Sequence, residues 1–249
     1  MNDIEYKVLK PNNLLSDFVE SFWMLKNSSQ NNKNVVILPD GRFDIIFTLK
    51  DKKIFHTTLR GLDTTPNKAI ISANTTFFAV SFKLLAIEYL IGNKVDLLLN
   101  KGVFLSSAFG NITKDDLKDF NVFCEKISLH LTSLISPKID TRKQKLFDLI
   151  YNSNGTLSVK ELSEKVFWSS RQINRYFNQT FGISLKAYCT IFRFKISLMD
   201  IKKGKLFPEL NFTDQTHFIK EVKKMSGVTP KELSKNENDR FILLSIMSK

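Results

Sequence analysis

The chain has 249 residues, with 37 Lys+Arg against 25 Asp+Glu, a formal net charge of +12 and 43% hydrophobic content that includes 22 Phe. That length supports one large or two ordinary domains, each able to bury a core. The longest charge-free run, Ala69 to Phe82, contains Ser72, Asn74, Thr75 and Thr76 and falls short of the ~20 apolar residues of a membrane-spanning helix, while two lone cysteines and three scattered histidines (His56, His130, His217) offer no metal-clasping spacing.

Motifs of the common dinucleotide, P-loop and nucleophile-elbow enzymes are also absent from the sequence. The first seven residues, Met1 to Lys7, carry two acids and no apolar stretch behind a basic end, which predicts no secretory signal and a cytoplasmic location.

In the first half the hydrophobic period is two. Val35 to Leu38, the turn Pro39-Asp40-Gly41 and the alternating run Phe43 to Lys50 predict a β-hairpin. Ile54 to Leu59, Ala69 to Ser72 and Thr76 to Lys83 are further strands, short and rich in β-branched and aromatic residues, so an antiparallel barrel or sandwich is expected. After Lys83 the period lengthens. Leu84 to Ile91 reads as a helix stopped by Gly92, further helical stretches fill Val95 to Leu134, and a boundary falls near Ser136 to Thr141. Asp40, Arg42 and Asp44 invite a ligand-site reading, and turn chemistry with a surface ion pair explains them just as well.

The second half repeats itself at an offset of 44 to 45 residues. Phe181 to Lys186 matches Ser226 to Lys231, and Ile173, Arg175 and Phe177 match Phe218, Lys220 and Val222. In the first copy Ser158 with Glu161 forms a capping box opening a helix over 159–166. Ser169 with Gln172 forms another, opening a helix that runs to Phe181 and stops at Gly182. In the second copy Leu206 to Leu210 is the expected short first helix, and Thr213 or Asp214 caps a helix reaching Met225 and stopped by Gly227. Thr229-Pro230-Lys231-Glu232 starts another helix, and Leu185 to Met199 forms a long helix between the copies.

Charge follows the same division. Residues 1–140 hold 17 basic and 15 acidic side chains, a net +2, and residues 141–249 hold 20 and 10, a net +10. A basic excess confined to one region is the footprint expected of a nucleic-acid binder. Ser170, Arg171, Asn174 and Arg175 share the outer face of one helix, and Gln215, Thr216, His217 and Lys220 that of its repeat. Arg, Lys, Asn and Gln carry the donors and acceptors that fit guanine and adenine edges in the major groove.

These residues carry a family resemblance. Leu162-Ser163, Ser169-Ser170-Arg171-Gln172-Ile173-Asn174-Arg175-Tyr176-Phe177, Phe181-Gly182-Ile183-Ser184, Asn211-Phe212-Thr213-Asp214-Gln215-Thr216-His217-Phe218 and Gly227-Val228-Thr229-Pro230 resemble the DNA-binding domain of the AraC/XylS family of bacterial transcription regulators. The chain departs from the family pattern at Phe167 and Asn211, where turn glycines are common, and at Phe207 and Pro208. Residues 14 to 90 resemble the cupin-like N-terminal domain of a subgroup of these regulators, through Phe18 to Trp23 and Leu38 to Phe47.

The resemblance implies an α+β protein. Residues 1–140 would form a cupin-like antiparallel β domain with trailing helices, for sensing or dimerisation. Residues 141–249 would form an all-α domain with two helix-turn-helix motifs joined by a long helix. It implies a bacterial transcription regulator of activator type, with base contacts from Arg171, Asn174, Arg175, Gln215, Thr216, His217 and Lys220. Ser169, Thr213 and neighbouring basic residues would contact phosphate, and no cofactor, metal or catalytic residue is implied. Double-stranded DNA is the implied partner, with RNA polymerase, a small-molecule effector of the N-terminal domain and a second copy of the chain as further ones. Two readings stay open beside it: a DNA-binding or interaction module without sequence preference whose second motif is degenerate, and a DNA-modifying enzyme. The apolar tail from Phe241 to Met247 is expected to pack within the chain.

Overall fold

A computed structural model describes residues 4–52, 54–92, 95–105, 109–136, 138–207 and 214–246. Its N-terminal half is built on strands with two buried faces. The strands are β1 (Ile4–Leu9), β2 (Val19–Asn27), β3 (Lys33–Ile37), β4 (Phe43–Lys50), β5 (Ile54–Arg60), β6 (Asn67–Ile71), β7 (Thr75–Phe82) and β8 (Gly102–Phe104). Six of them pair antiparallel in the order β1-β2-β7-β4-β5-β8, and β3 pairs with β6 in a small second sheet. Because side chains alternate along a strand, Phe22, Phe43, Ile45, Phe47, Phe78, Val80 and Phe82 form one face and are buried in the main core. Trp23, Leu25, Asp44, Ile46, Phe77 and Ser81 form the other, which meets β3 and β6 across a cavity.

The hairpin expected across Val35 to Lys50 does not form. β3 pairs with β6, Lys33 opposite Ile71 and Ile37 opposite Asn67, while β4 lies between β5 and β7. The Pro39-Asp40-Gly41 turn therefore carries the chain from one sheet to the other instead of reversing it within one. Its geometry is local, but the choice of partner strand is not: the small sheet closes over the apolar face that β2, β4 and β7 leave open. The helix expected from Leu84 is reduced to one π-helical turn, Ile87–Ile91, ended by Gly92 in the left-handed conformation.

Helices complete the fold. They are α1 (Phe120–Leu134), α2 (Thr141–Asn152), α3 (Val159–Val166), α4 (Ser170–Phe181), α5 (Leu185–Lys202), α6 (Gln215–Ser226), α7 (Pro230–Lys235) and α8 (Ile242–Ile246). The architecture is α+β, a β region followed by a helical one. α1 lays Phe123 against Phe47 and Phe78, with ring centroids 5.5 and 5.4 Å apart. α2 inserts Phe147 among Tyr176, Phe177 and Phe181 of α4. Among the described residues, no helix is long and apolar enough to cross a membrane.

The two halves share one hydrophobic core that runs from Leu15 in the first to Leu244 in the second. Polar contacts register them. Leu84 N–H donates to the Tyr151 hydroxyl at 3.2 Å, Val95 N–H to the Thr180 carbonyl at 3.3 Å, and Gln144 to Asp17 at 2.9 Å. Gly182 ends α4 at φ +75°, and a Cβ there would stand 2.8 Å from the Asp96 carbonyl oxygen. A glycine is thus needed both for the left-handed stop and for the close approach.

Candidate nucleic-acid interface

Two capping boxes position the first polar helix. Ser158 Oγ accepts from Glu161 N–H, and Glu161 returns a bond from Ser158 N–H at 2.7 Å. These bonds hold the Glu161 carboxyl below the usual range. Ser169 and Gln172 repeat the arrangement, with Ser169 N–H donating to Gln172 Oε1 at 3.0 Å. α3 and α4 have the bounds those boxes predict. The turn between them is made by Phe167 in the left-handed region, φ +54° and ψ +40°, with its ring 88% exposed.

α4 is strongly two-faced. Ile173, Tyr176, Phe177 and Phe181 are buried, while Arg171 and Arg175 are exposed. Asn174 is half-buried, and its side-chain amide donates to the Ser170 carbonyl at 3.0 Å, so part of its donor capacity is spent on its own helix. Ser170 is half-buried, and the exposed Ser169 hydroxyl donates to Gln172 Oε1 at 2.8 Å.

α6 repeats the pattern. Asp214 caps it, accepting from His217 N–H at 2.7 Å, and Gly227 stops it at φ +79°. Phe218, Val222 and Met225 face inward, and Gln215, Thr216 and Lys220 are exposed. His217 is half-buried, with Nε2 4.0 Å from Glu221 Oε1 one turn on. Thr213 lies outside the described residues, as do positions 208–210 of the first helix expected in this copy, and Leu206 and Phe207 are not helical. Thr229, Pro230 and Glu232 open α7 with a capping box as expected. The long α5 joins the two copies.

Among the described residues, Arg171, Arg175 and Lys220 form no ion pair, so their charges face solvent. The outer faces of α4 and α6 thus offer guanidinium, ammonium, amide and hydroxyl groups on capped helices whose inner faces are fixed in the core.

Of the two readings of Asp40, Arg42 and Asp44, the surface ion pair is the one the structure overturns. These side chains are not a surface ion pair. They line the polar end of a cavity of about 290 Å³ between the two sheets, together with Arg60 and Asp63. Arg42 chelates Asp40 through Nε and Nη2, and Arg60 does the same to Asp63 at 2.6 to 3.1 Å. Arg60 and Asp63 escaped sequence reasoning because nothing local marks them as sharing a cavity with residues twenty positions earlier. Beside it, a cleft between β1, β2 and α5 holds Lys10, Glu20 and Lys195. Burial pushes Lys195 down to about 8. Glu20, which burial alone would raise, is held at about 2 by the charges of Lys195, Arg42 and Lys10.

A family model described as a domain of unknown function (DUF6597) matches residues 7–104, the strand-bearing part of the chain. None of the curated proteins matches. Among solved structures, an apo ToxT variant from Vibrio cholerae is 11% identical over 91% of this chain and 99% of that one, with a TM-score of 0.47. A second ToxT structure is 13% identical over 94% and 98%, with a TM-score of 0.40, and one with unsaturated fatty acid bound is 10% identical over 92% and 93%, with a TM-score of 0.42.

Proposed function

We propose that the chain is a sequence-specific DNA-binding transcription regulator of AraC/XylS type. α4 and α6 act as recognition helices of two helix-turn-helix units set in successive major-groove segments, and the cupin-like sheet pair serves as the effector domain. The observation that carries this reading is the repeat itself. Two capped helices, each buried on one face, turn Arg171 and Arg175, and Gln215, Thr216 and Lys220, to solvent on the basic half of the chain. Phosphate contacts would supply affinity, and base edges would supply specificity.

Selection from a random duplex pool tests it. Two half-sites about one helical turn apart are expected if both helices read bases. One half-site would assign the reading to α4 alone, and no enrichment over competitor DNA would remove sequence specificity. Affinity should also fall about 10³–10⁵-fold between 50 and 200 mM salt if ~6–10 phosphates are neutralised.

A further inference from the structure

The C-terminal segment belongs by sequence to the helical half but docks in the N-terminal one. Val36 N–H on β3 donates to the Arg240 carbonyl at 2.6 Å, and Phe241 forms a parallel bridge with Val36. Phe241, Ile242 and Leu244 are buried. Ile242 packs with Leu25, Val35 and Ile71 between the two sheets, and Ile242 and Leu243 form part of the cavity wall. At its other end the segment is tied to the helices. Asn236, just after α7, accepts from Phe241 N–H at 2.9 Å and donates to Ser245 Oγ at 2.8 Å, and Lys202 at the end of α5 donates to the Leu244 carbonyl at 2.8 Å.

The cavity's chemistry is uneven. Trp23, Leu25, Val35, Ile37, Ile46 and Phe77 make it largely apolar. Its two guanidinium groups are each spent on a carboxylate, Arg42 on Asp40 and Arg60 on Asp63. Asp44 remains. It takes the Ser81 hydroxyl, which in turn accepts from Trp23 Nε1 at 2.9 Å, and among the described residues no basic side chain pairs with it. Burial foremost, and then the charge of Asp40, raise its carboxyl to about 6 against the opposing charge of Arg42, whose guanidinium is bonded to Asp40 instead.

We propose that this cavity binds a small, mainly hydrocarbon molecule carrying one protonated amine, with Asp44 as its counter-ion, and that residues 240–246 are the outer wall that such a ligand holds in place. The inference deepens the effector part of the function proposed above and rests on it. An anionic ligand would meet three carboxylates and two guanidinium groups already engaged, whereas an ammonium group would bond directly to the one carboxylate that, among the described residues, no basic side chain chelates and that feels the Arg42 charge without an ion pair to it. A ligand that contacts Ile242 and Leu243 binds the docked tail better than the released one. Occupancy therefore shifts the tail toward docking, and through Lys202 and Asn236 it reaches the helices on either side of α6.

The test uses the full chain with Trp168→Phe, which leaves Trp23 as the only indole, and no DNA, so its outcome is independent of whether α4 and α6 read bases. Octylamine, octanol and octanoate are titrated against Trp23 emission, and hydrogen exchange is followed over residues 33–38 and 240–246. Octylamine should saturate the signal and bind at least about tenfold more tightly than octanoate, because a buried charged hydrogen bond is at stake. It should also slow exchange at Val36 and along the tail. Asp44→Asn should abolish the preference for the amine, and Ile242→Ala with Leu243→Ala should weaken all binding and restore fast exchange. Octanoate binding as tightly as octylamine, or no Trp23 response to any of the three, would overturn the ligand assignment in the unmodified cavity whatever the variants do. A Trp23 response with unchanged tail exchange would overturn the role of the tail.

Discussion

Tyr176 Oη, on the buried face of α4, donates a 2.5 Å hydrogen bond to Glu88 Oε2 in the π-helical turn of the N-terminal half. Burial foremost, and then this bond, raise the Tyr176 hydroxyl well above its ordinary pKa. Glu88 also takes Lys143 at 2.7 Å, and Lys143 lies 4.8 Å from the Tyr176 ring centre. The helix that carries Arg171 and Arg175 on one side is therefore fastened by its other side to the sheet-bearing half. Tyr176→Phe keeps the ring and removes the bond. It should destabilise the chain by about 1–2 kcal/mol, the lower part of the range for bonds to charged groups, since Glu88 keeps Lys143. Urea unfolding of the two proteins measures it, and an unchanged midpoint would deny the bond any role in docking α4.

Phe167 makes the turn between α3 and α4 in a conformation that disfavours any side chain with a Cβ. Its ring is exposed, with the Lys145 ammonium 5.7 Å from the ring centre. Phe167→Gly should raise stability by about 0.5–1 kcal/mol, relief of left-handed strain outweighing the lost cation–π contact and the entropy of glycine. The same unfolding measurement reads the sign.

Lys195 is half-buried opposite Glu20 at 3.5 Å, and its folded pKa of about 8 lies below its ordinary value near 10.5. Within that interval the unfolded chain holds a proton that the folded chain has released, so stability from this group rises with pH. Below pH 8 both states are charged and the full cost of burial remains. The thermal midpoint of the unsubstituted chain should therefore climb relative to that of Lys195→Met between pH 8 and pH 10. A constant difference across that range would show that Lys195 is not desolvated as described. On the acid side the sign reverses for Glu20, whose depressed pKa of about 2 stabilises the fold above its ordinary value near 4.5, a contribution lost as pH falls toward 2.

Arg171 and Lys223 are both exposed, on α4 and α6. If the proposed function holds, Arg171→Ala should cost about 1–3 kcal/mol on the preferred duplex and relax selection at one base step. Lys223→Ala should weaken all duplexes alike and lower the salt slope by about one. Binding isotherms on matched and single-mismatch duplexes at several salt concentrations separate the two, and identical behaviour of both variants would overturn this division of roles.

Legibility in the sequence tracked the range of the interaction. The boxes Ser158/Glu161, Ser169/Gln172 and Thr229/Glu232 and the stops Gly182 and Gly227 involve partners a few residues apart, and α3, α4, α6 and α7 begin or end where they predict. The inward faces of α4 and α6 follow from the same helical period. Strand pairing did not follow. Val35 to Leu38 looks like the first arm of a hairpin, yet Val35 pairs with Ala69, because β2, β4 and β7 leave an apolar face that a second sheet must cover. Asp40, Arg42 and Asp44 fit any surface turn until that sheet encloses them.

What the sequence determined by itself is therefore α3 to α7, together with the +10 charge of their region and the two outward faces of α4 and α6. Capping, helix stops and amphipathic period are each set within about one or two turns of chain. What the tertiary structure decided is the division of strands between two sheets, the cavity they enclose, the Tyr176–Glu88 fastening and the docking of Arg240 to Leu244 against β3. Each of these depends on apolar surface brought together from distant parts of the chain, and burial is fixed by the whole assembly of elements, which no local pattern of residues specifies.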